Sequence, residues 1–229
     1  MTGLVDEMRQ VVDVVAPQLK TLGFKKRRHS FNRSLDDGIT HVISFQMGAS
    51  DPPGTVELPG LRPNLHGRFT VNLGVHSSSM PRTQYRELSW INEYDCQLRK
   101  RLGHLLPEHA DVWWRLDHPE AAVNVSDALL GAGIQWLSRF ESSEDIWLAF
   151  ENGDIESLGM GPAAALDIAD LYTAHARPAD ARRVLEAYAR SAHKPSHTEY
   201  LVKHLVDRGY SDLAAIARET APSTMVTQK

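Results

Sequence analysis

The only cysteine, Cys96, and the eleven histidines are where nucleophilic or metal chemistry would have to begin in this 229-residue chain. A reactive thiol needs a neighbouring cation or base to hold it as thiolate. Arg99, Lys100 and Arg101 are the only cations near Cys96 in sequence, and a small, buried, inert thiol is the expected fate. No Gly-x-Ser-x-Gly elbow is present to present a serine on a strand-to-helix turn. No His-Glu-x-x-His places two imidazoles on one helical face, and Pro195 separates His193 from His197. One cysteine leaves no multi-cysteine zinc site and no disulfide framework. Gly159-x-Gly161 does not follow an expected strand and lacks the rest of a phosphate loop. These residues point to no catalytic group, no metal and no cofactor.

Residues suited to recognition are easier to find. If strands 39–47 and 68–76 pair, Ser44, Gln46, Thr70, Asn72 and His76 share one face. Such a face is either simply wetted or a recognition surface. The two amides favour recognition, because asparagine is depleted in strands and an amide offers donors and an acceptor in fixed geometry. The expected site is a polar pocket or groove around Gln46 and Asn72, with His76 on the same face, walled by Arg101 or one of Trp113 and Trp114, of which Trp114 is the candidate. The Pro- and Gly-rich loop 48–66 would act as its lid. The five tryptophans are otherwise read as core.

Charge supplies a second candidate. Residues 1–34 carry a net +4 and residues 35–160 a net −9, and the basic excess concentrates in Lys25-Lys26-Arg27-Arg28-His29. Lysines on an edge strand discourage edge-to-edge aggregation. The alternative is phosphate or nucleic-acid contact through Lys25, Lys26, Arg27 and Arg28, although no aromatic residues are interleaved to stack bases. A third reading pairs the cluster with the acidic stretch 141–156.

These side chains need elements to hold them. Leu4, Met8, Val11, Val12, Val15, Leu19 and Leu22 recur at helical spacing, and Gly23 stops the helix. Strands are expected at 24–34, 39–47 and 68–76, with a short fourth at 111–116. Helices are expected at 84–106, 119–140 and 143–151, the last capped by Ser142 with Asp145. From 163 the chain reads as two alanine-rich helical hairpins, 163–192 and 196–220. Pro178, a Ser196/Glu199 capping box and Ser211 mark helix starts. Asp180 and Asp212 lie 32 residues apart, a period similar to tetratricopeptide-type repeats.

In order along the chain come Leu22-Gly23-Phe24-Lys25-Lys26, Phe31, Arg33, Val42-Ile43-Ser44-Phe45-Gln46 and Phe69-Thr70-Val71-Asn72-Leu73-Gly74-Val75. Cys96, Arg99, Arg101, Leu102, Gly103 and Trp113-Trp114-Arg115-Leu116 follow. In order and spacing this set resembles the bacterial family called domain of unknown function 4304, over residues 4–140. The family brings no established activity, so the resemblance implies a fold more than a function. The C-terminal hairpins fall outside it.

The fold expected is therefore α+β: a small antiparallel sheet of three to four strands with helices on one face, then an all-helical appendage. The expected divisions are 1–158, 159–222 and a tail 223–229. With 42% hydrophobic and 24% charged residues the chain is ordinary for a globular protein, and its net charge of −4 argues against general coating of nucleic acid. The opening residues, acidic rather than basic and apolar, read as no targeting segment, so the cytoplasm is the expected compartment. The leading function is a non-enzymatic binding module, with another protein as the partner considered and no membrane role. Nucleic-acid association through the basic cluster comes second, and a small-molecule enzyme on the sheet face third. The sequence leaves the oligomeric state open.

Overall fold

The computed structural model describes residues 3–48, 56, 64–80, 88–154, 158–161, 163–191 and 194–220. The chain divides into two compact units, Met1–Gly161 and Pro162–Lys229.

The first unit opens with α1 (Leu4–Thr21), which buries Met8, Val11, Val12, Val15 and Leu19 along one stripe. Gly23, at φ +87°, ends it. The Gly23 N–H donates to the Lys20 carbonyl and the Phe24 N–H to the Leu19 carbonyl, the reciprocal pair of a Schellman turn. Phe24 and Leu19 are both buried, and the chain turns directly from the helix into the sheet.

That sheet is antiparallel and holds six strands among the described residues, more than the three to four expected. They are β1 (Lys25–Arg27), β2 (Ser30–Ser34), β3 (Ile39–Met47), β4 (Arg68–Ser77), β5 (Leu98–Arg101) and β6 (Trp114–Arg115). The order is β1-β2-β3-β4-β5, with β6 also on β4. Two differences from the sequence reading account for the extra strands. The single strand 24–34 is a tight hairpin, broken at Arg28–His29, where Arg28 takes φ +56°. The helix expected over 84–106 is, from residue 88 on, a 3-10 turn at Glu93–Asp95, then β5, then a 3-10 turn at Leu102–Leu105. Leu98, Leu102 and Leu105 mimic a helical stripe, but Leu98–Arg101 instead pairs with β4, opposite Val75 through Asn72. β4 is buried along most of its length, and its backbone groups on that side would otherwise have no partner.

One sheet face is apolar. Phe31, Ile43, Phe45, Phe69, Val71 and Leu73 are each at most 4% exposed. Phe31, Phe45, Phe69 and Trp114 form a ladder across four strands, with successive ring centroids 6.1, 6.4 and 5.9 Å apart. The helical layer includes α1, α2 (Ala121–Ala128), a π turn at Leu129–Gly133 and α3 (Ile134–Leu137); α2 contacts β6 and α3 contacts β4. The π turn interrupts what the sequence reads as one helix, 119–140. α4 (Ser143–Glu151) starts with the expected Ser142/Asp145 capping box, and its Ser143 N–H donates to the Asp37 carboxylate in the β2–β3 turn at 2.8 Å.

The opposite sheet face is not simply wet. Thr70 is fully buried and Asn72 is 6% exposed. Val42, Ile91 and Cys96 form a small apolar cluster there. Gly74 makes this possible, since a Cβ at that position would lie 2.5 Å from the Cys96 Sγ.

The second unit is all-helical: α5 (Ala164–Ala174), α6 (Pro178–Ala189), α7 (Pro195–Asp207) and α8 (Ser211–Thr220). α5 packs on α6 and α7 on α8, and α6 also meets α8. Small residues such as Ala169, Ala181, Ala189, Ala214 and Ala217 are buried and allow close helix approach. Pro195 occupies the first turn of α7 with Lys194 as cap, so the expected Ser196/Glu199 box does not form. Asp212 pairs with Arg182, whereas Asp180 pairs with Arg177 and Arg183, so the two repeat-related aspartates differ in partners.

Candidate functional site

The β3–β4 register sets Ser44 opposite Asn72, Gln46 opposite Thr70 and Thr40 opposite His76. β5 adds Arg101 opposite Asn72 on the same face. Three of the expected site residues therefore meet. The Asn72 Nδ2 donates to the Gln46 Oε1 at 2.8 Å. The Arg101 Nη1 donates to both carboxylate oxygens of Asp111, at 2.5 and 2.6 Å, with the guanidinium 5.2 Å from the centre of the Trp113 ring. Burial alone pushes the Asp111 carboxyl up, but hydrogen bonds from Arg101 and Trp113 outweigh it and hold the group below the usual carboxylate range.

The other two candidates stand apart. His76 lies four residues along β4 from Asn72, about 13 Å at strand spacing. Trp114 pairs opposite Phe69 and joins the aromatic ladder of the other face, so Trp113 is the tryptophan beside Arg101. The arginine comes from an edge strand, not from a helix crossing the sheet. The loop 48–66, expected as a lid, falls mostly outside the described residues.

Cys96 is fully buried, and its Sγ lies 3.5 Å from the Asn92 carbonyl. It follows a short turn rather than riding a helix. Sequence reasoning missed its neighbour Gln97, whose amide accepts from the Ser77 N–H at 3.0 Å and donates to the carbonyls of Ser77 and Met80. Nothing in spacing marks that side chain as a substitute for backbone pairing.

The basic cluster divides among three surroundings. Arg27 turns toward Trp90, 6.0 Å from its ring centre. Lys26 reaches the Asp13 carboxylate on α1 at 2.5 Å. Arg28 sits at the hairpin tip. Arg33, outside the cluster, bonds Glu141 in the acidic stretch at 2.7 Å.

Between α1 and the β1–β2 hairpin these residues border two adjoining hollows that share Asp13 and Lys26. One, of about 670 Å³, is lined by Val5, Arg9, Asp13, Lys26, Arg28 and His29. The other, of about 880 Å³, has Ala16, Pro17, Phe24 and Phe31 among its lining, with Lys20 and Lys25 beside them. Together they make one groove along α1, bordered by five lysine and arginine side chains and one carboxylate. His29 reports the local field: burial lowers its pKa first, and then Lys26, Arg9 and Arg28 lower it further. The cluster was legible in the sequence. The helix wall of Val5, Arg9, Asp13 and Pro17 was not, because it needs the turn at Gly23 to fold the cluster back beside the helix.

Among the described residues no three His, Cys, Asp or Glu side chains gather as a metal ion would require, and no helix is long and apolar enough to cross a membrane.

Residues 61–139 match the family model described as Domain of unknown function (DUF4304), which supports the resemblance seen in the sequence. The match covers β4 through α3, with Asn72, His76, Arg101, Trp113 and Trp114. It leaves outside α1, β1–β3, the basic groove and the helical unit. No curated protein and no solved structure matches the chain.

Proposed function

We propose that the chain is a non-enzymatic binding module, and that the first unit holds an anionic macromolecule along the groove between α1 and the β1–β2 hairpin. The observation that carries this reading is the excess of positive charge there. Five cations border a groove containing one carboxylate, in a protein whose net charge is −4. Lysines that only guard a sheet edge need no facing helix wall, and here α1 contributes Arg9 and Lys20 to the same groove.

The test is fluorescence anisotropy with two labelled polyanions, polyglutamate and oligothymidylate, at increasing sodium chloride. Binding of at least one should weaken steeply with salt. Lys26→Glu with Arg28→Glu should reduce it by about tenfold or more, the effect of reversing two contacts. Unchanged binding in that folded double variant would end this reading.

A small-molecule site on the sheet face is a second reading with one observation in its favour. Asn32 is 8% exposed and its Oδ1 has no hydrogen-bond partner, on the face that carries Ser44 and Asn72.

A further inference from the structure

We propose that the occupant of the basic groove is a short, extended acidic peptide segment with an apolar anchor residue, an inference that rests on reading the groove as an anion-binding surface. The groove's wall on α1 runs from Val5 to Lys20. Fifteen helical steps at about 1.5 Å each make about 22 Å, which about seven extended residues would span. β1 is the last strand on its side of the sheet, which suits an extended partner. Pro17 lies inside α1 and lacks the N–H that would otherwise bond the Asp13 carbonyl, leaving a backbone acceptor at the groove wall.

The groove changes character along its length. The half at Arg9, Lys26, Arg28 and His29 is cationic, and the half at Ala16 and Pro17 presents accessible apolar carbons with lysines at its rim. A peptide alternates acidic and apolar side chains and can match both halves. A nucleic-acid strand presents a phosphate at every step, and Asp13 stands where the halves join. Base stacking also lacks a platform: Phe31 is 1% exposed and Phe24 4%, and the Arg33 guanidinium lies 5.5 Å from the Phe24 ring centre.

The experiment titrates the full chain with three labelled probes: a seven-residue alternating glutamate–leucine peptide, a seven-residue polyglutamate and oligothymidylate. The mixed peptide should bind about tenfold tighter than polyglutamate, as burial of a leucine would give. Asp13→Asn should tighten it a few-fold, a gain that general damage to the fold does not produce. Lys26→Glu with Arg28→Glu should weaken it by about tenfold or more. Equal binding of the two peptides, or tighter oligothymidylate binding lost in the double variant, overturns the peptide inference and leaves the anionic groove standing. Binding of every probe indifferent to the double variant overturns both.

Discussion

His41 and His29 both titrate below the ordinary histidine range, in two regions built to opposite purposes. His41 lies on β3, fully buried, with Nε2 2.8 Å from the Phe140 carbonyl and Nδ1 3.2 Å from an Arg33 Nη2. The consistent tautomer is neutral: Nε2–H donates to the carbonyl and Nδ1 accepts from the guanidinium. Every polar atom of the ring is used, and the interaction joins the sheet to the end of the helical layer. His29 borders the groove, where burial first, and then Lys26, Arg9 and Arg28, oppose a proton, with Asp13 acting the other way. The satisfied His41 ring of the first region serves stability. Like charges held together in the second oppose folding, which is why the second is the functional candidate.

The largest expected effect breaks the first region. Burial is the main cause that takes the His41 pKa from 6.5 to about 4. The unfolded chain therefore binds a proton below pH 6.5 that the folded chain refuses until about pH 4. Stability falls as pH drops through that window, by about 3 kcal/mol for this residue, and this contribution is flat outside it. His41→Leu should cost about 2 kcal/mol at pH 7, since it strands the Phe140 carbonyl, and should flatten the pH 4–6.5 slope. Urea denaturation across pH reads both. An unchanged slope would mean that other groups carry the acid sensitivity.

Gly74→Ala is expected to cost about 2 kcal/mol, because the new methyl meets the Cys96 Sγ at 2.5 Å and its Cβ at 2.9 Å inside a covered face. Adding Cys96→Ala should return part of that loss. Polyanion binding by the folded protein should not change in either variant, which separates the interior from the groove.

What the sequence made legible follows the same division. Alternation in β3 and β4 was readable because one face is mostly apolar, with His41 its buried polar exception on β3, and Gly23 marked the helix end because a Schellman turn needs a positive φ. The hairpin within 24–34 was not readable, since Arg28 occupies a left-handed position that signals a turn only when glycine or asparagine fills it. β5 was hidden by leucines at helical spacing, and what decides it is the open edge of β4, a long-range requirement. Gln46 and Asn72 were placed together correctly from period two alone. That Arg101 and Trp113 would join through Asp111 depended on a chain path that no local pattern encodes.

Asn72→Ala tests whether the sheet face is more than a tie. The substitution removes the donor to Gln46, which is exposed and can take water instead, so the expected cost is about 1 kcal/mol. Groove binding should be unaffected. A loss of binding larger than the loss of folded protein would move the functional region from the groove to the sheet face.

The smallest effect on stability is the most discriminating, because it has the opposite sign. Arg28 holds φ +56° at the tip of the β1–β2 hairpin, a conformation that costs a side-chain-bearing residue about 1 kcal/mol. Glycine adopts it without strain but gives back part of the gain through the entropy of the unfolded chain. Arg28→Gly should therefore stabilise the protein by about 0.5 kcal/mol while weakening polyanion binding several-fold. If both effects appear, the Arg28 guanidinium serves the groove at a cost to the backbone. Thermal denaturation and anisotropy on the same sample measure the two effects together. If Arg28→Gly stabilises the fold and leaves binding intact, the strain serves no contact at this groove, and the contrast between the two histidine regions loses its functional half.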